Sequence, residues 1–419
     1  MLSARELSYK KYYRILGTTL LLGLVVYSFI LARKNGDFQV FLEAAELLNS
    51  GTNPYGIWLL NTNCLYFYSP LWAALLMPIH EYSYLVKLCW LLFNVGLLYR
   101  IWSFLNSYLE GLKLTAKENF WLLLLILLVS HRFILYNFMM VQMTIFILWV
   151  AFESLRSFEK QKLMRGALLL AFAINVKLLA IVLIPYLIYR RQFKAVALTV
   201  FFFMVYIVVP ALYFGWDYNM ELHESWWKII NPNSKEHKFD AELGPHSLTA
   251  LIPSLLMETN GHFDRSRHLV NLSIDHVLLM VNSIRAMLIL LFIYFLRMPL
   301  FVKAKSKVFQ FWELSYLLLL IPLIFPHQQK YAFLLALPAQ FYILVWMMRW
   351  NGNAKRKIIF YGVFITSFLL MTMTSDAFIG RHFNLLTQYY KLITYGALLL
   401  VPLLFFANPS RIAAKRESE

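Results

Sequence analysis

Long apolar runs with no polar side to give to water recur along the whole of this sequence, and Leu20 to Leu31 and Leu122 to Val129 are two of them. A helix that crosses a bilayer needs about 20 mostly apolar residues. Only a structure that satisfies its own backbone hydrogen bonds survives in hydrocarbon. A chain built of such runs is therefore expected to be an all-α integral membrane protein. The composition agrees, with 60% of the 419 residues hydrophobic and 15% charged, against about 25% charged in a soluble domain. The first run has no small-residue cleavage site after it and reads as a permanent span rather than a secretory signal.

Apolar runs broken by charge and proline place spans near 14–32, 83–104, 119–131, 138–153, 164–176, 177–189, 195–214, 277–297, 310–325, 329–348, 358–374 and 388–407. The segment Pro70 to Pro78 is too short to cross and reads as a re-entrant or interfacial helix. Lys and Arg gather in short loops: Arg5, Lys10, Lys11 and Arg14; Arg156, Lys160, Lys162 and Arg165; Arg190, Arg191 and Lys194; Arg297, Lys303, Lys305 and Lys307; Arg349, Lys355, Arg356 and Lys357; Arg411, Lys415 and Arg416. With both termini in the cytoplasm, every cluster falls on the cytoplasmic side, as the positive-inside rule requires. This holds only if Gly166 to Tyr189 is two short spans split at Asn175 and Lys177, with Lys177 at an outer hairpin tip. The net charge of +17 then reflects membrane topology, and no nucleic-acid partner is expected. Cys64 and Cys89 are too few for a disulfide framework.

Two outer segments remain, 33–82 and 215–276, in what reads as one domain over residues 1–419. In the first, Phe38, Phe41, Leu42, Ala45 and Leu48 fall at helical spacing, with Gln39, Glu43, Glu46 and Asn49 opposite them. That pattern is an amphipathic helix lying on the membrane surface, stopped by Gly51. Asp37 stands at its start. It can cap the helix, or hold a carboxylate at the outer face where a lipid-borne substrate would meet it.

Asp37, Phe38, Ala44, Ala45, Gly51, Asn53, Pro54, Tyr55, Tyr68, Pro70 and Leu71 together resemble the first outer loop of glycosyltransferase family 87. Gln142, Lys177 with Pro185 and Arg190–Arg191 behind it, and His246–Ser247–Leu248 resemble later features of that family, although Lys177 is followed by Leu-Leu where a Lys–Pro pairing is usual. The resemblance implies a GT-C-type bundle of about 12 spans carrying outer amphipathic helices. It also implies inverting transfer of a hexose, weighted toward mannose, from a polyprenyl-phosphate donor to a glycolipid or glycan acceptor. A bacterial plasma membrane with the active site on its outer face is the expected setting.

Such a transfer needs a carboxylate to take the acceptor proton and cations or hydrogen-bond donors for the departing phosphate. Asp37 is the expected base, and Asn53, Tyr55, Tyr68, Gln142, Lys177, His246, His327 and Lys330 are the expected substrate contacts. Lys177 either serves the reaction or snorkels to the interface. His327 and Lys330 sit in a polar turn, Phe325 to Tyr331, that either binds phosphate or sugar or only closes a hairpin. Arg285, inside a span, has three open roles: pairing, phosphate binding or snorkelling. All ten histidines fall on or near outer segments, but none has metal-site spacing. Glu221, His223 and Glu224 could hold a divalent ion, and no cofactor is otherwise expected. Ser247 can cap a helix whose Leu248, Leu251, Ile252, Leu255 and Leu256 form one face. Trp226 and Trp227 suit either a sugar ring or the membrane interface. Three other functions fit a polytopic chain: a transporter or lipid flippase, a non-catalytic subunit, and a ligase moving a whole lipid-linked glycan. The first usually shows repeat halves, which this sequence lacks.

Overall fold

The computed structural model describes residues 4–60, 64–112, 114–231, 243–259, 262–296, 306–350 and 352–410. Arg297, Lys303, Lys305, Arg411, Lys415, Arg416 and His237 lie outside these residues. The described chain is helical; its only β pairing is an isolated antiparallel bridge between Leu59 and Cys64. Eight helices are long and apolar enough to cross a membrane, or nine if a bent pair counts as one span.

All twelve expected segments are helical, but twelve full spans do not form. Thr144–Glu159, Leu163–Val176 and the run Leu178–Tyr189 have 16, 14 and 12 residues. At 1.5 Å per residue each falls short of a hydrocarbon core of about 30 Å. The last expected span is broken by 69° between Asp376–Tyr389 and Leu392–Phe406. Lys391 supplies the break from left-handed backbone, φ 57°. In the other direction, one helix runs through Ala116–Met140, beyond the expected span of 119–131. It continues because Arg132 is satisfied sideways, donating to the Met371 carbonyl, the Thr374 hydroxyl and the Asn384 amide oxygen.

The elements that build the site are α1 (Ala4–Leu31), α2 (Phe38–Asn49), α3 (Pro70–Leu76), α4 (Ser83–Tyr108), α5 (Ala116–Met140), α6 (Thr144–Glu159) and α7 (Leu163–Val176). Local sequence explains their ends. Gly51, at φ +78°, takes the left-handed turn just past α2, and its N–H reaches the Leu48 carbonyl. Ser69 caps α3 by accepting from the Trp72 N–H, with Pro70 at the first position. Thr115 and Glu118 form a reciprocal capping box on α5.

The apolar face expected of α2 is buried to the last residue, with Val40 and Ala44 added. Helix α2 packs beneath α3 and beside α4. Residues 70–79 are a short buried helix and a 3-10 turn. Helix Leu248–Leu256 also forms, but its buried side is Leu248, Thr249, Ala250, Leu251, Pro253 and Ser254 rather than the leucine face expected. The Ser247 hydroxyl bonds Thr249 instead of capping.

Side-chain pairs identify the two ends of the bundle. Arg165 and Arg100 both reach Glu153, Arg349 reaches Glu118, and Lys307 approaches Glu110. Arg190 pairs with Glu313, where Tyr186 also donates. Both feet of the 163–190 segment therefore stand at the basic end, and Lys177 is at its apex. The split hairpin read from the charge pattern is the arrangement found.

Candidate functional site

At the apex end, four of the expected residues form one hydrogen-bonded chain. Gln142 Nε2 donates to Asp37 Oδ2 at 2.6 Å. Gln142 Oε1 accepts from the Tyr68 hydroxyl at 3.3 Å. Lys177 Nζ donates to that same hydroxyl at 3.2 Å. The chain joins the loop after α1, the α5–α6 break, the loop before α3 and the tip of the 163–190 hairpin.

Each side chain is placed by a local irregularity. Asp37 starts α2, and its carbonyl accepts from the Val40 N–H, but its side chain makes no hydrogen bond to the helix. The capping role is therefore not the one its carboxylate plays, and Oδ1 accepts from no donor among the described residues. Gly36 allows this placement: a Cβ there would stand 3.1 Å from the Met139 carbonyl oxygen, at the end of α5. Val141 ends α5 in left-handed backbone, φ 52°, and turns Gln142 inward, where it is 2% exposed. Lys177 has extended backbone between α7 and a 3-10 segment, so the helix is interrupted at the lysine itself. Tyr68 is held from behind by the Tyr55 hydroxyl, which donates to its carbonyl at 2.8 Å.

Burial raises the pKa of Asp37 above the ordinary carboxylate value; the Gln142 hydrogen bond and the Lys177 charge oppose the rise. No carboxylate neutralises Lys177 directly within the described residues. Its ammonium lies 5.1 Å from the Tyr68 ring centre and 5.3 Å from that of Tyr331.

A second layer surrounds the turn before Tyr331. Lys330 stands 4.5 Å over the Tyr136 ring, and the Asn137 amide donates to the Tyr331 carbonyl. The His246 N–H donates to the Gln328 carbonyl at 2.8 Å. The His246 ring is fully buried, and neither ring nitrogen has a hydrogen-bond partner among the described residues. Burial, then the nearby charges of Lys391, Lys330 and Arg132, push its pKa well down. Asn175, two residues before Lys177, is likewise buried with both amide atoms unpartnered. Buried polar groups are rarely left so.

The remaining expected residues are farther out. His327, in left-handed backbone, stacks on Phe67 at 5.3 Å. Asn53 accepts from the Tyr55 N–H and donates to Ser225 and Glu221 on helix Trp216–Ile230, so it fastens that helix to the first loop. Trp226 is buried and donates to the Phe67 carbonyl, whereas Trp227 is exposed. Glu224 pairs with Lys228 and His223 contacts the Asn219 carbonyl. These two therefore serve different partners from Glu221, and no group of three or more potential metal ligands occurs among the described residues. Arg285 bonds Asn282 on its own helix.

Three contributors were not anticipated. Tyr331 supports Lys177 from the second side. Arg132 ties α5 to residues 371–384. Lys391, wholly buried, donates to the Pro245 carbonyl beside His246. A charged residue inside or beside an apolar run was the available signal for the last two.

The profile of glycosyltransferase family 87 matches residues 66–326, more than half of the chain. No curated protein and no solved structure matches.

Proposed function

This chain belongs to glycosyltransferase family 87, and from that premise we propose that it moves a hexose, mannose in the first instance, from a polyprenyl-phosphate carrier to an acceptor hydroxyl, with inversion. In this reading residues 1–419 form one GT-C-type membrane domain. Both termini are cytoplasmic and the Asp37 end faces outward across a plasma membrane, bacterial by expectation. The acceptor is a glycolipid or glycan.

The chain Asp37–Gln142–Tyr68–Lys177 is the observation that carries the reading. A single displacement needs a base on the attacking side and positive charge on the leaving side. Asp37 supplies the first. Gln142 fixes the carboxylate through Oδ2 and leaves Oδ1 to take the acceptor proton as the new C–O bond forms. Partial burial makes that oxygen more basic than a solvated carboxylate. As the bond to the carrier phosphate breaks, its electron pair leaves with the phosphate, and the added charge falls to Lys177, with Lys330 and His246 behind it. Fixed donors in a water-poor site are worth far more than in water. Tyr68 and Tyr55 set the distance between the two halves. Asn53 and His327 hold the outer loops that close over the sugar.

The test uses purified protein in nanodiscs, radiolabelled polyprenyl-phosphate-mannose and a lipid extract of the source cell as acceptor. Label should pass to an extractable product, with polyprenyl phosphate released in equal amount. A chelator arm reads any need for a divalent ion. Labelling from a nucleotide sugar with no lipid carrier present would overturn the proposal.

A further inference from the structure

At the end of the bundle away from Asp37, the first turns of α1 stand off the last turns of α4 and the start of α5. The space between them is a cavity of about 740 Å³. Lys10, Arg14 and Arg156 line it, and among the described residues none of the three forms an ion pair with a carboxylate. Arg156 instead lies 5.2 Å from the Phe104 ring centre. The one acidic side chain on the lining, Glu110, is already approached by Lys307 at 3.9 Å.

Three cations facing one space repel each other unless an anion joins them. Four other arginines at this end, Arg100, Arg165, Arg190 and Arg349, have carboxylate partners. The cavity instead gathers three cations that pair with no carboxylate among the described residues.

The Trp102 indole N–H donates to the Tyr13 hydroxyl at 2.6 Å, pinning α1 to α4. Helix α1, one wall of the cavity, is the least buried of the candidate spans. Further along α1, the exposed Ile15, Leu22 and Val26 offer an apolar track. Guanidinium and ammonium donors above such a track match a phosphate whose attached chains lie in the bilayer.

We propose that this cavity binds a phosphate group, carried by the headgroup of an anionic bilayer lipid or free in solution, at a site separate from the transfer centre. The measurement is native mass spectrometry of the full chain released from nanodiscs of equal phosphatidylglycerol and phosphatidylcholine. The wild type should retain one phosphatidylglycerol in preference to phosphatidylcholine. In the double variant Arg14→Gln, Arg156→Gln that preference should fall about tenfold, as expected for losing charged hydrogen bonds. It should persist in Arg14→Lys, Arg156→Lys and in the distant control Lys228→Gln.

A second arm adds inorganic phosphate to protein in phosphatidylcholine alone and reads thermal unfolding. Stabilisation of wild type but not of the Gln variant, without lipid preference, would assign the site to soluble phosphate. Equal lipid retention by wild type and the Gln variant, with no response to phosphate in either, would overturn the proposal.

Discussion

The two ends of the bundle treat charge in opposite ways. At the basic end four arginines meet carboxylates: Glu153 takes both Arg100 and Arg165, Glu118 takes Arg349, and Glu313 takes Arg190 in a buried pair. At the Asp37 end three lysines rest on aromatic rings and carbonyl oxygens instead. Lys177 lies between Tyr68 and Tyr331, Lys330 over Tyr136, and Lys391 on the Pro245 carbonyl. A carboxylate would neutralise such a cation before any substrate arrived. A ring or a carbonyl positions it and leaves its charge uncompensated. On the proposed function, the difference separates charges that hold the fold from charges held ready for a phosphate.

The sharpest way to break this comparison is to remove one cation from each end. Lys177→Met should cost about 10²–10³ in turnover while changing unfolding by no more than about 1 kcal/mol. Arg190→Met leaves Glu313 buried and unpaired, so it should destabilise the protein by about 3–5 kcal/mol, read by thermal or denaturant unfolding. The folded remainder should turn over at a nearly normal rate. If the two variants exchanged these phenotypes, the division of roles would be wrong.

Next in size is Gln142→Leu. It removes a hydrogen bond to a charged group, worth about 1.5–3 kcal/mol, or about 10–100-fold in rate. Its pH signature is specific. Gln142 lowers the pKa of Asp37, so its loss raises that pKa further. Since the base works deprotonated, the acid limb of the rate profile should move to higher pH. A limb that stayed in place would separate Gln142 from the base. Tyr68→Phe, which loses the hydroxyl that donates to Gln142 and accepts from Lys177, should cost about 10-fold, since the partners and their charges stay in place. Lys307→Gln, at an exposed and loose pair at the basic end, should change neither activity nor unfolding measurably.

Local chemistry made much of this legible in the sequence. Gly51, Ser69–Pro70 and the α2 face write their geometry into neighbouring residues, and the basic clusters required the break at Lys177. What stayed hidden depends on contacts between distant segments. Asp37 sits at a helix start, where capping is the ordinary use of an aspartate. Only the fold brings Gln142 to it across the sequence and turns the carboxylate away from its own helix. The end of one span was hidden for a related reason. Hydropathy finds apolar runs, but whether a run ends at Arg132 depends on the carbonyl and hydroxyl that Met371 and Thr374 offer it. In the same way, the partner that makes Lys391 tolerable lies in the loop at Pro245. The expected leucine face of 248–256 gave way to Thr249 and Ser254 because neighbouring helices cover that side.

The most direct test of the central claim is the single-turnover rate of Asp37→Asn, in protein whose unfolding matches wild type, with a polyprenyl-phosphate-sugar donor. Asn keeps the size and still accepts the Gln142 hydrogen bond, but it cannot take a proton. A fall of about 10²–10⁴, the usual share of a general base, with donor binding retained, is the predicted result. Transfer at the wild-type rate would contradict the account. It would reduce Asp37 to a structural residue and move the base to another carboxylate at the same end of the bundle.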